Sequence, residues 1–591
     1  MFKKALLLYF IFLLHSISHS QDLGASRQEI EEAQKLITAG KSSEAIGILE
    51  KLKKLDPENR EIFSLLSRAY SDTKSYPRLE EHLKTWLKKT PDDWKTRVQL
   101  GDLYLKTGEK SLAEKSFEEA LKLAPDTVES YRLVAATYLL NRENEKAIET
   151  YKLGIRKLGN HPLLLKETAE LYEVSGDYAT ALEYYFAWAK EDTSKYGMVE
   201  NKVMRLIESD QRLDELEKGL KKVTRLDPRG GLGYKLYGDL LLKKGDLNQA
   251  FELFKSADLL SGSDGQYLLL FAQTCLKNKA YQLSLKTSQY LEELCKGIEC
   301  MIQSRYISAY SLAGIGNYEQ ALATYQKIAQ DYPIREIQAH SYLQMANLYL
   351  ENLKKVDEAQ LWYRKILPLK ESSSYPQALI KLGECFLLGD QLDSALAHYQ
   401  KSLEDPQAQS VYEELSFHLA EVYFYQGEIE KALETYQKII TDFPQGMFVN
   451  NSLERLNLIK DNLGMNRPFL KDLSRALLLI YQGSFPEGEK LLDNIAQANV
   501  PALSDFAWME KSSLLRRKKD FEASISEYQS LIDKFPQSLY LDLALKSIGD
   551  IYLENLKEKE KAKEAYELFL KKYPSSLYAQ EVREKLKDLN P

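Results

Sequence analysis

Four cysteines and seven histidines are the residues best suited to chemistry in this 591-residue chain. Cys295 and Cys300 stand in "LCKGIEC", at a helix end and the loop after it, close enough in sequence to bridge if the chain turns there. Cys275 and Cys385 fall at apolar helix positions and read as buried thiols packed like small hydrophobes. No Cys-x-x-Cys pair exists, so a zinc or redox box is not expected. His82, His161, His340, His398 and His418 are far apart and form no His-Glu-x-x-His pair, so no metal site is expected from them either. "AGKS" at Ala39–Ser42 ends like a phosphate-binding loop, but Lys35 stands where the leading glycine belongs and a helix precedes it. No Gly-x-Ser-x-Gly elbow or cysteine–histidine signature occurs. The reading is a chain without catalysis, metal or cofactor.

If chemistry is absent, what remains is a surface and the elements that position it. At this length one compact core does not suffice, and several domains or an extended array are expected. Apolar residues make up 44%, tyrosines number 38 and prolines only 17, which favours helices over a sandwich or barrel.

The first residues, "MFKKALLLYFIFLLHSISHSQ", join Lys3 and Lys4 to an apolar run from Ala5 to Leu14, with Ser18 and Ser20 placed for cleavage before Gln21. Residues 1–20 therefore read as a signal peptide, and the mature chain as exported, periplasmic or secreted, with outer-membrane association open to it. The apolar run is too short to span a bilayer comfortably, and no later stretch qualifies, so no transmembrane segment is expected in the mature chain. Losing residues 1–20 removes two lysines and no acid, taking the formal charge from −7 to −9. A mildly acidic surface without a basic stripe argues against nucleic acid as partner.

One spacing recurs along the chain. In "LGDLYLKTGEKSLAEKSFEEALKLAP", Gly101 is followed by Ala113, Phe117 and Pro125. The same offsets return at Ala420, Ala432, Tyr436 and Pro444, and at Ala309, Ala321, Tyr325 and Pro333. Further copies of the small–small pair are Ala33/Ala45, Ala135/Ala147, Ala169/Ala181, Gly238/Ala250 and Gly383/Ala395. Apolar residues three and four apart give each of two helices a buried stripe, and the small pair lets those helices approach closely. Gly108, Gly176, Gly245, Gly316 and Gly427 mark the turn between them, and the proline ends the unit. The hexapeptide "YLENLK", at Tyr349–Lys354 and Tyr552–Lys557, occupies that turn in two units whose small pairs, Ala346/Ala359 and Gly549/Ala562, are thirteen residues apart. It is expected to be a turn lengthened by one residue.

These residues resemble the tetratricopeptide repeat, a helix–turn–helix unit of about 34 residues. The resemblance implies an all-α, right-handed superhelical solenoid of about fifteen units. It divides as a signal peptide at 1–20, a first array at 21–228, partly degenerate units at 229–300, a central array at 301–446, and C-terminal units with a capping helix at 447–591. The segments "KFPQSLYLDLAL" and "KYPSSLYAQEV" are similar to the repeats of exported bacterial envelope proteins.

The position after the first small residue of each unit points by helical spacing toward the inner wall of such an array. There the chain has Asp102, Glu170, Asp239, Glu384, Glu421 and Asp550, with Tyr310 and Asn347 among the exceptions. These eight are the expected binding ridge, suited to neutral or basic extended segments. The function that follows is a scaffold for cell-envelope proteins. The alternative is an accessory factor that binds or exports peptidoglycan or polysaccharide, with Tyr306, Tyr310 and Tyr425 stacking on a glycan.

Overall fold

The pair Trp94–Thr107 and Lys110–Leu123 shows how one unit is built. The Asp93 side chain accepts the Thr96 amide and starts the first helix, and Gly108 ends it in the left-handed region at φ 84°. A Cβ added to Gly101 would stand 2.5 Å from Cε1 of Phe117, so the glycine exists to admit that ring. Gly238 meets Phe254 in the same way, at 3.0 Å. The small residue thus receives the second helix's aromatic directly, besides letting the two backbones draw together.

This computed structural model describes residues 27–209, 212–226, 230–500 and 502–589; the expected leader at 1–20 lies outside them. The described residues form helices joined by short turns, with no strand among them. Each helix packs mainly on its neighbours in the chain. Ala33, Ala45, Ala135, Ala147, Ala309, Ala321, Ala420 and Ala432 are wholly buried at the helix contacts, as are Tyr325, Tyr399 and Tyr436 beside them. The fold is an all-α solenoid of helix pairs.

The repeat length is written in ion pairs. Lys95 reaches Glu129 34 residues on at 3.3 Å, and Arg132 reaches Glu167 35 residues on at 2.8 and 3.0 Å. Lys235 meets Glu200 at 2.7 Å and Lys370 meets Asp405 at 2.6 Å, each across 35 residues. A side chain of one unit meets its counterpart one unit along, as stacked copies require.

Two compact units divide between Leu268 and Leu269. In the first, the degenerate stretch after Tyr196 keeps helices at Tyr196–Glu208 and Leu213–Leu226. The latter packs on Tyr178–Lys190, where a Cβ on Gly219 would lie 2.8 Å from the Ala179 backbone. In the second unit, Val449–Lys460 is followed by a loop and the helix Arg467–Tyr481.

The "YLENLK" segments differ from the lengthened turn read in the sequence. The additional residue is absorbed as π-helix at the end of the first helix, over Leu348–Asn352 and Ile551–Leu556. The left-handed position falls to Lys354 at φ 55° and Lys557 at φ 62°. A π turn inserts one residue without breaking the helix axis, so both flanking helices keep their register in the stack.

Candidate functional site

The inner-wall positions divide into those that face solvent and those that do not. Asp102 is 28% exposed; it accepts Lys106 at 2.7 Å and the Asn141 amide at 2.8 Å. Glu170 is 43% exposed, with Lys166 at 3.6 Å. Asp239 is mostly buried, and burial pushes its carboxyl up despite Lys235. That lysine lies 2.8 Å away as an ion pair without hydrogen-bond alignment. Glu384 holds Lys381 at 2.9 Å. Tyr310 shares a hydrogen bond with His340 Nε2 at 2.8 Å, and Asn347 Oδ1 accepts the Tyr363 hydroxyl at 2.6 Å.

Glu421 and Asp550 are buried and saturated. Glu421 Oε1 accepts the Tyr436 hydroxyl and Arg455 Nε, the latter at 3.1 Å, while Oε2 accepts Tyr425 at 2.9 Å. Burial pushes this carboxyl up, but the Arg455 charge and the three donors outweigh it and hold the group below its usual range. Asp550 Oδ1 accepts Tyr566 and Lys585, both at 2.7 Å, and Oδ2 accepts Lys546 at 2.8 Å. Burial opposes ionisation there too, and the two lysines and the tyrosine prevail, lowering its pKa. Both side chains bind the next unit of their own chain, since Arg455 and Lys585 lie 34 and 35 residues on.

The inner surface of the second unit is further occupied near Glu384. Gln482 donates to the Leu387 carbonyl at 2.9 Å and to Asp390 Oδ1 at 3.0 Å, across 95 and 92 residues. Arg475 stands 3.6 Å from the same aspartate. The eight ridge residues therefore do not make one continuous surface. The sequence reading missed Tyr436, Arg455, Tyr566 and Lys585 as partners of the ridge; their signal was a tyrosine fifteen or sixteen residues after the acid and a base 34 or 35 after it.

Tyr306 donates to the Ile337 carbonyl at 2.9 Å, and Tyr310 and Tyr425 have partners given above, so these three phenols are engaged within the fold. Cys295 and Cys300 are joined by a disulfide, their Cα atoms 5.7 Å apart. Cys275 and Cys385 are buried thiols, and burial pushes them up to about 11 and about 12. His82 is buried against Phe63 and Lys53, and burial, with the lysine's charge, lowers it to about 4. Among the described residues no group of three or more His, Cys, Asp or Glu is placed to hold a metal ion, and no helix is long and apolar enough to cross a membrane.

Sequence profiles for the tetratricopeptide repeat match residues 95–127, 303–333, 414–446, 473–538 and 547–576. The chain carries tetratricopeptide repeats at these positions. It is 31% identical over 102 residues to tetratricopeptide repeat protein 8 of Mus musculus, a match covering 17% of this chain and 20% of that protein. It is 23% identical over 305 residues to a TPR repeat-containing protein of Methanocaldococcus jannaschii, covering 50% of this chain and 51% of the other. The tetratricopeptide array thus spans about half or less of these two relatives' lengths. Among solved structures, MamA from Desulfovibrio magneticus RS-1 shares 19% identity over 29% of this chain and 96% of that one, with a TM-score of 0.23. Tetratricopeptide repeats indicate a protein-interaction scaffold, and the partners they imply are proteins.

Proposed function

We propose that this tetratricopeptide-repeat protein is a non-catalytic scaffold of the bacterial periplasm or cell envelope, holding segments of envelope proteins along the inner helices of its arrays. The observation that carries the reading is the state of the first array's inner wall. Asp102 and Glu170 stay partly exposed, held only by neighbours on the surface, and so remain free to exchange those partners for a ligand's donors. Export rests on the leader pattern at residues 1–20. The rings of Tyr306 and Tyr310 pack against Tyr325 and His340, and that of Tyr425 against Phe424, which leaves the glycan alternative without support from geometry.

The test is a photoreactive residue placed at Asp102 or Glu170 in cells of the source organism, with products identified by mass spectrometry after fractionation. Envelope proteins captured there, and not from Lys115 on a second helix, are the expected result. Equal capture at both faces, or capture of cytoplasmic proteins alone, overturns the reading.

A further inference from the structure

The turns that open three inner helices of the second unit are built alike: "PQGMF" at Pro444–Phe448, "PQSLY" at Pro536–Tyr540 and "PSSLY" at Pro574–Tyr578. In each, the third residue's amide folds back on the aromatic before the proline: Gly446 to Phe443 at 2.8 Å, Ser538 to Phe535 at 2.9 Å and Ser576 to Tyr573 at 3.2 Å. Each presents a bare apolar side chain at its tip, Met447 at 87%, Leu539 at 86% and Leu577 at 89% exposed. Two of the three are tied to the unit before them by an acid near the start of its inner helix. Glu413 accepts the Phe448 amide at 2.6 Å across 35 residues. Asp542 accepts the Ser576 hydroxyl at 2.7 Å across 34.

The third tie is missing. The acid in that place is Asp505, 35 residues before Tyr540, on the helix Leu503–Arg517. It is only 8% exposed, yet among the described residues its one donor is the adjacent Phe506 amide, at 2.8 Å on Oδ1. Between it and the turn lies a cleft of about 610 Å³, walled by Glu454 and Leu458 of Val449–Lys460, by Asp461 just after that helix, and by Lys534 and Leu539. Three carboxylates face one ammonium there, and Lys534 Nζ lies 4.2 Å from the centre of the Trp508 ring. Arg455, the nearby guanidinium, is spent on Glu421 and on the Phe506 ring at 5.5 Å.

We propose that this cleft is a docking site for an extended segment of a protein partner, which presents an arginine or lysine to Asp505 and rests an adjacent apolar side chain on Leu458 and Leu539. A buried carboxylate lacking the donor its counterparts have gains a charge-assisted bond from such a side chain. The negative balance of the walls selects against an acidic segment. This deepens the scaffold reading by naming a partner chemistry and a place for it.

The test uses the mature chain and three fluorescein-labelled octapeptides of Gly and Ser with a central Leu-Arg, Leu-citrulline or Leu-Glu, followed by anisotropy. The arginine peptide is expected to bind about tenfold more tightly than its neutral citrulline match, and the glutamate peptide not at all. Asp505→Asn is expected to bring the arginine peptide down to the citrulline level. Leu539→Ser, at an exposed tip where folding is not at stake, should weaken the arginine and citrulline peptides alike. Equal binding of arginine and citrulline, indifference to both substitutions, or no arginine binding at millimolar peptide overturns the site. Crosslinking from Asp102 and Glu170 does not depend on this cleft, so the two readings fail separately.

Discussion

Asp102 and Glu421 hold the same place in their helices, one residue after the small side chain, yet the first faces solvent and the second is sealed in. The difference lies in what the sequence supplies around them. Fifteen residues on, Glu421 finds Tyr436, whose hydroxyl donates to it, whereas Asp102 finds Phe117, which has none. Thirty-four residues on, Glu421 finds Arg455 and Asp102 finds Ala136. Asp550 repeats the buried case with Tyr566 and Lys585, its tyrosine one residue later because of the π turn. A carboxylate on the inner wall becomes part of the fold when its own unit brings a hydroxyl and the next brings a cation. Otherwise it stays on the surface, where a partner could use it.

The sharpest way to break this comparison is Arg455→Met. It leaves Glu421 buried without a counter-charge, a loss of about 3–5 kcal/mol. Because an array unfolds in parts, the measurement is amide exchange in Tyr412–Tyr425 and Val449–Lys460 rather than one global midpoint. Adding Glu421→Gln removes the stranded charge, and the double variant should recover a large share of the loss. If Arg455→Met alone leaves exchange unchanged, the pair is not holding adjacent units together. Tyr436→Phe comes next, removing one hydroxyl donor from a charged acceptor at a cost of about 2 kcal/mol. The same change at Tyr325, where no carboxylate is the partner, should cost less.

Much of this was legible in the sequence. The period, the helix pairs and the turn glycines followed from offsets of small and aromatic residues, because close packing leaves few choices at those positions. Gly108 and Gly316 do take positive φ, at 84° and 91°. The ridge was less legible, since helical spacing places a side chain on a face but does not say what the next repeat lays over it. Glu421 and Asp102 look alike until the residues 34 and 35 further on are read with them. Asp505 went unnoticed for the same reason: its singularity is a bond that its counterparts Glu413 and Asp542 make and it does not.

The pH dependence of the Glu421 region sharpens the comparison further, because a second carboxyl, Glu510, lies beside the same arginine. Burial raises Glu510 above the ordinary glutamate value of 4.5, with Arg455 opposing, while Glu421 is held below it. A carboxyl lowered in the fold contributes stability above 4.5 that disappears as pH falls through its folded value. A carboxyl raised in the fold costs stability at neutral pH, and that cost is relieved as pH falls through its folded value toward 4.5. Protection of Val449–Lys460 and Leu503–Arg517 should therefore rise first on acidification from neutral and then fall. Glu510→Gln should raise protection at pH 7 and abolish the initial rise while leaving the later fall.

Asp102→Asn marks the quiet end of the scale. Its carboxylate is partly exposed and paired with Lys106 on its own surface, an arrangement worth well under about 1 kcal/mol because water screens it and two side chains must be held still. Asparagine keeps the acceptor that takes the Asn141 amide, so only the charge is lost. Unfolding of the Trp94–Thr107 pair should shift by no more than about 0.5 kcal/mol. Asp550→Asn, the same chemical change at the same repeat position, takes the buried carboxylate from Lys585 and Lys546, leaves them only the more exposed Glu554 and Glu581, and should cost several times as much. Equal effects at the two sites would mean that neighbouring repeats do not decide whether an inner-wall acid is structural, and the division between the two kinds of ridge position would fall.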